Sequence, residues 1–233
     1  KLPSIACYTY NAKTHYFGRE SLVLHYPQQG FSTAENILSM LRLDGKFTAE
    51  EARLLDILLL LHADHGGGTN STFTNVVVSS TDTDLYSTIA SSIGSLKGPR
   101  HGGANARVAN MMDKVIDAIG VDAGDSAIER VIERLMNKEL DNPSGLVYGI
   151  GHAVYTLSDP RAEVIRDHIG KLAAKKGLER KFNFFVRFEE VAKRYLGEKK
   201  GVSMSSNIDF YSGFAYEILG IPRDLFTPLF VLS

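Results

Sequence analysis

Of the seven histidines in this chain, three have a glycine as an immediate neighbour: His65 in "HADHGGG", His101 in "GPRHGGAN" and His152 in "YGIGHAVY". Average glycine usage would place about one histidine in that setting. A glycine beside an imidazole lets backbone or ligand approach the ring closely, and loops at helix ends commonly present binding groups. A carboxylate stands apart in "SSNIDFYSG", residues 205–213. There Asn207 has the pattern of a helix N-cap and Asp209 falls in the first turn, where the helix dipole favours a negative charge. Brought together, such a set suits removal of a proton from carbon, with general-acid support for the oxyanion that develops. Each residue also has a plainer reading. His65 reads as a C-terminal helix histidine bonding the last carbonyls, His101 and His152 as buried hydrogen-bonded rings, and Asp209 as a dipole partner.

Two other patterns compete for chemistry. His62 and His65, three residues apart with Asp64 between them, have the spacing of a metal pair, but no cysteine or third ligand follows at a recognisable interval. "GIG" at 149–151 resembles part of a dinucleotide fingerprint, yet no strand precedes it and the remaining glycine is missing, so it reads as a tight turn.

The elements that must position these residues are helical. Ser32 with Glu35 and Thr48 with Glu51 have capping-box spacing before "NILSMLRL" and "ARLLDILLLLHAD". "HGGGTNS" interrupts the pattern, and a single helix is expected from about 71 to 96 despite the β-branched "TNVVVSSTDTD". Further amphipathic segments run over about 104–119, 125–138, 160–176, 181–196, 207–219 and 222–233, with Pro143, Pro160 and Pro222 near their starts or in the turns. The chain is expected to be all-α.

Composition narrows the function. With 233 residues and 44% hydrophobic content, the chain is long enough for one large or two ordinary domains. Lys+Arg 26 against Asp+Glu 27 leaves a net charge of -1, which supplies no drive toward nucleic acid or an anionic membrane. No apolar run approaches the roughly 20 residues of a membrane span. The single cysteine, Cys7, forbids an internal disulfide and fits a reducing compartment such as the cytoplasm.

Four collinear segments, "LHADHGGGTNSTFT", "LKGPRHGGAN", "GIGHAVYTLSDPRA" and "NIDFYSGFAYEILGIP", resemble the signature segments of the citrate synthase family, 2-methylcitrate synthases included. The resemblance implies an all-α fold with a large helical domain, residues 1–103 and 215–233, and a smaller one, residues 104–214. It implies an active site in the cleft between them and a homodimer. By the same resemblance His101, His152 and Asp209 match the catalytic residues, and His65 and Arg161 match residues that hold oxaloacetate. The turn Val147, Tyr148, Gly149, Ile150 and Gly151 matches the backbone that lies against coenzyme A. No cofactor is expected to be permanently bound; acetyl-CoA is a co-substrate and CoA a product. Gly102 and Gly103 are expected to let the coenzyme arm pass close to His101.

The chain also departs from the family pattern. Ala153 and Thr156 stand where members often carry Arg or Lys facing the coenzyme phosphates, and a substrate-binding arginine would fall just past Ser233. A dicarboxylate lacking such a contact loses a few kcal/mol, tenfold or more in affinity. The sequence is therefore expected to be a fragment of a synthase, lacking an N-terminal part and the extreme C-terminus, and weak or inactive alone. Three functions remain open at this point: an acyl-CoA-dependent condensing enzyme making citrate or, with propionyl-CoA, 2-methylcitrate; a non-catalytic binding module that keeps the fold; and a metal-dependent hydrolase using His62, Asp64 and His65.

Overall fold

A computed structural model describes the chain except for residues 64–67, 99–100, 142, 153–154 and 156. Among the described residues every regular element is helical, and the only β pairing is an isolated antiparallel bridge between Ile150 and Ser206. The chain divides into two compact units, residues 1–103 with 219–233, and residues 104–218. The second boundary lies at 218 rather than 214 because one helix runs unbroken to Ile218.

The first unit holds α1 (Leu2–Gly18), α2 (Thr33–Leu41), α3 (Ala49–Ala63), α4 (Asn70–Ser79), α5 (Leu85–Leu96) and the C-terminal α11 (Phe226–Leu232), which a 3-10 turn at Arg223–Leu225 precedes. Both capping boxes form. Glu35 N–H donates to Ser32 Oγ at 3.2 Å while Ser32 N–H donates to the Glu35 carboxylate at 2.7 Å, and Thr48 and Glu51 repeat the exchange at 3.2 and 2.8 Å. Glu51 is buried because it also pairs with Arg42, which donates onward to the Leu219 carbonyl at 2.7 Å and so ties the returning chain to this unit.

The sequence pattern does not announce α1, whose apolar residues form no single stripe. It is anchored by polar contact instead: buried Asn11 donates to the carbonyls of Val23 and Met40 at 3.2 and 3.0 Å. The single helix expected over 71–96 is two. Thr81 and Asp82 turn the chain, Asp82 with φ 57°, and Asp84 caps α5 by accepting from Ser87 N–H at 2.9 Å. A free-standing cap beat continued helix where Ser, Thr and Asp compete for backbone bonds.

The second unit holds α6 (Ala104–Ile119), α7 (Asp125–Met136), α8 (Pro160–Lys175), α9 (Glu179–Lys200) and α10 (Ile208–Ile218). Helix α10 packs against α6 and α8, and α9 against α7 and α8. Phe185 and Phe188 of α9 meet Phe210 and Phe214 of α10, with Phe185 stacked on Phe214 at 4.7 Å between centroids. At the edge of this aromatic core buried Glu189 accepts from Ser206 Oγ at 2.5 Å and from the Tyr211 hydroxyl, joining α9 to the start of α10. The core thus fixes α10 from both sides, and with it the loop that enters the helix at Asn207.

Candidate functional site

In the first unit His101 sits in the turn after α5, where His101 N–H donates to the Gly98 carbonyl at 2.9 Å. Its Nε2 faces the first turn of α4: Ser71 N–H lies 3.3 Å away as a donor and Ser71 Oγ 2.8 Å away. A ring nitrogen that accepts from a backbone N–H carries no proton, so the ring N–H belongs to Nδ1. Helix α4 therefore selects the tautomer that can donate from Nδ1.

Gly102 does not serve as open space for a ligand. It is buried, its N–H donates to the Leu96 carbonyl at 2.8 Å, and a Cβ there would come within 2.6 Å of that oxygen. Its smallness permits backbone contact with the end of α5. Thr227 Oγ1 of α11 donates to the Gly102 carbonyl at 2.8 Å and holds the same segment from the other side. His65 lies outside the described residues, as do Asp64, Ala153 and Thr156. His62 is turned into its own unit: Nδ1 bonds the Leu58 carbonyl at 2.6 Å and the ring packs edge-on against Phe230. Among the described residues no group of three or more His, Cys, Asp or Glu side chains is placed to hold a metal ion.

The second unit holds the turn Val147–Gly151, His152, Arg161 and Asp209. The turn at Val147–Gly151 and the segment 205–207 lock onto each other: Gly151 N–H donates to the Ser205 carbonyl at 2.6 Å, Asn207 N–H to the Gly149 carbonyl at 2.9 Å, and Asn207 Nδ2 to the Gly151 carbonyl at 2.9 Å. Gly149 has φ +81°, and a Cβ there would meet Phe210 at 2.9 Å, so only glycine lets the turn lie against the first turn of α10. Asn207 Oδ1 accepts from Asp209 N–H at 3.1 Å, the N-cap read from the sequence.

His152 follows that turn. Its Nδ1 accepts from Tyr155 N–H at 3.0 Å, and its Nε2 lies 3.4 Å from Arg161 Nη2, itself a donor. A neutral ring has one acceptor nitrogen, so the shorter contact, from Tyr155 N–H, is the hydrogen bond, and the proton on Nε2 faces Arg161 without bonding it. Arg161 is buried and stacks over Tyr155 at 5.8 Å.

Asp159 was not singled out by sequence, although an Asp before Pro160 is itself a helix-start signal. Its carboxylate is fully buried. Oδ1 accepts from Arg161 N–H at 3.1 Å and from Arg161 Nε at 3.0 Å; Oδ2 accepts from Arg161 Nη2 at 3.0 Å and from Ile208 N–H at 3.1 Å. Burial alone would raise its carboxyl, but the Arg161 bonds and charge outweigh this and hold it below the usual carboxylate range. Asp209 has the opposite balance. Burial pushes its carboxyl up to about 6, against the pull of Arg161 and with a further push from Asp159. Two carboxylates at the start of neighbouring helices are thus driven apart, one kept ionised and one poised to exchange a proton near neutral pH.

Comparison with known proteins gives this arrangement its class. The whole chain, residues 1–233, matches the family described as citrate synthase, C-terminal domain. The chain belongs to the citrate synthase family. Among its relatives is the citrate synthase of Deinococcus radiodurans, 41% identical over 207 residues, 89% of this chain and 50% of that protein. The citrate synthase structure from Pyrobaculum aerophilum covers 100% of this chain and 53% of its own, at 32% identity and TM-score 0.79. A ternary complex of citrate synthase from Thermoplasma acidophilum with carboxymethyl coenzyme A and oxaloacetate covers 100% of this chain and 56% of its own, at 29% identity and TM-score 0.76. The chain spans about half the length of the curated relatives it matches.

Proposed function

We propose that the protein condenses acetyl-CoA with oxaloacetate to give citrate and CoA, with Asp209 as base, His101 and His152 as proton donors, and Arg161 and His65 as holders of oxaloacetate. The observation that carries this reading is the contrast between Asp159 and Asp209. A carboxyl raised to about 6 by burial is basic enough to remove a proton and still largely ionised at pH 7. Asp209 takes a proton from the thioester methyl group while His101 donates from Nδ1 to the thioester oxygen, so charge never develops there unsupported. The enol carbon then attacks the ketone carbon of oxaloacetate while the enol O–H returns its proton to His101 and re-forms the thioester carbonyl, and His152 passes its Nε2 proton to the ketone oxygen. Water cleaves the citryl thioester, releasing citrate and CoA. Positioned proton transfer supplies roughly 10²- to 10⁴-fold, and the rest must come from oxyanion support and from holding two substrates together.

The turn Val147–Gly151 is the proposed contact for the coenzyme, its backbone held rigid by the bonds to residues 205–207. A homodimer is proposed on the face of α4 and α5, where Phe73, Val76, Leu85 and Tyr86 are 64%, 60%, 70% and 86% exposed. Such a cluster on one helical hairpin calls for an apolar partner surface. No helix among the described residues is long and apolar enough to cross a membrane, and a cytoplasmic location is proposed on the lone, unpaired cysteine, Cys7.

The test is steady-state turnover by the full-length gene product with acetyl-CoA and with propionyl-CoA. Citrate formation with acetyl-CoA preferred is the expected result. Preference for propionyl-CoA would reassign the protein to 2-methylcitrate formation, and turnover with neither would remove the enzymatic reading.

A further inference from the structure

We propose that Asp159 is a positioning residue for this condensation: its buried carboxylate clamps Arg161 beside His152 and anchors the first turn of α10, which carries Asp209. The inference rests on the condensing function proposed above and extends it to a residue that touches no reacting atom.

The geometry is that of a hub. Four donors converge on one carboxylate: three belong to Arg161, and the fourth is the Ile208 backbone N–H at the start of α10. The guanidinium is thereby fixed in its plane by a fork of two bonds, the arrangement that most restricts an arginine. Fixing the guanidinium fixes the distance from Nη2 to His152 Nε2, 3.4 Å. The bond to Ile208 N–H ties the residue immediately before Asp209 to the start of α8. One side chain therefore sets the mutual placement of an imidazole donor, a cation and a carboxylate base that come from three separate stretches of chain. The Asn207 cap alone does not do this, since it reaches only Asp209 N–H and the Gly151 carbonyl.

Charge follows the same hub. Asp209 is faced from the start of α8 by Arg161 and by Asp159 itself, and from its own helix by Tyr216, whose hydroxyl is pushed up first by burial and then by Asp209. Among the other charged groups around α10, several are paired with one another. Glu189 of α9 engages Tyr211, Arg166 and Lys193, while Lys181 of α9 engages Glu217 and, from α6, Asp113. Loss of the Asp159 charge would therefore leave the cation Arg161 dominant at Asp209.

The decisive variant is Asp159→Asn in the full-length gene product. It keeps the side-chain shape, removes the charge and presents an NH2 group to donors. The expected result is a fall in kcat of tenfold or more, a raised KM for oxaloacetate, and an acid limb of the kcat/KM pH profile displaced to lower pH. A merely structural role would lower the amount of folded enzyme and leave that limb in place. Asn207→Ala, which removes the neighbouring cap without changing charge, is the control expected to leave the limb where it is in the parent.

An unmoved limb or parental kcat in Asp159→Asn overturns the proposal. Should that variant not fold, Asp159→Glu decides: the charge is kept and its place shifted, so kcat is expected to fall at least tenfold with the limb retained, and parental kcat would overturn the proposal. Carbon-13 NMR titration of the Asp209 carboxyl, in parent and variant, reads the same coupling without turnover. A parent that titrates as expected but makes no citrate would sink the proposed function and spare only the coupling of Asp159 to Asp209.

Discussion

Helix α10 buries nine of its eleven residues, whereas α4 buries none of its ten and α5 only Thr88 of its twelve. Both regions are apolar, and the difference lies in what surrounds them. Around α10 the second unit supplies its own cover: aromatic rings from α9, the carboxylate of Asp159 at its first N–H, and the Asn207 cap. Helices α4 and α5 pack on each other and leave Phe73, Val76, Leu85 and Tyr86 outward. One region is finished within a single chain and can hold reacting groups rigidly. The other presents a face that a second copy can cover, yet its first turn also selects the tautomer of His101 through Ser71. Rigidity around Asp209 and the proposed dimer face therefore fall in different units, and perturbations should separate them.

The largest expected effect comes from Asp209→Asn. Turnover in the full-length protein should fall by roughly 10²- to 10⁴-fold with the fold intact, as measured by the rate of CoA release and by circular dichroism. The pH dependence sharpens the same point. As pH rises through about 6 the Asp209 carboxyl ionises, so kcat/KM should climb across that range. Folding stability should move the other way. The folded carboxyl is raised above its ordinary 3.8, so protonation favours the folded state, and the contribution is lost as pH rises through about 6. In Asp209→Asn that segment of the stability-against-pH curve should flatten.

A smaller effect, in the other unit, is expected from Leu85→Asp on the outward face of α5. A large apolar side chain buried in an interface contributes about 1.5–3 kcal/mol, so association should weaken by roughly tenfold to a hundredfold. Sedimentation velocity should show a shift toward monomer. If the assembly state does not change, the proposed dimer face is wrong, while the account of α10 stands. The smallest effect is local: Ser32→Ala removes the cap of α2 and should cost about 0.5–2 kcal/mol in thermal unfolding with turnover of the remaining folded enzyme unchanged.

Much of this was legible before any coordinates. Capping boxes at Ser32 and Thr48 and the N-cap at Asn207 are short-range devices, and all three form as their spacing predicts. The all-α class and the order of the four motifs carried the family. What sequence could not show was set by contacts between distant residues. Asp159 announces a helix start, but its bond to Ile208 spans 49 positions and nothing local foretells it. Gly102 read as room for a ligand and proved to be room for the Leu96 carbonyl, because a glycine looks the same in sequence whichever neighbour demands it. Helix α1 went unannounced because its hold on the unit is the buried amide of Asn11 rather than an apolar stripe. The break within "SSTDTD", residues 79–84, reads in sequence as continuous helix, because the cap at Asp84 competes there with a run that also suits helix.

The central claim is that His101, His152 and Asp209 act on one pair of substrates. The most direct measurement is a crystal structure of the full-length gene product with oxaloacetate and an acetyl-CoA analogue bound. The account predicts His101 Nδ1 at the analogue's carbonyl-equivalent oxygen, His152 Nε2 at the ketone oxygen of oxaloacetate, and the Asp209 carboxylate against the carbon that forms the bond. Ligands bound with any of the three beyond hydrogen-bond reach would contradict it.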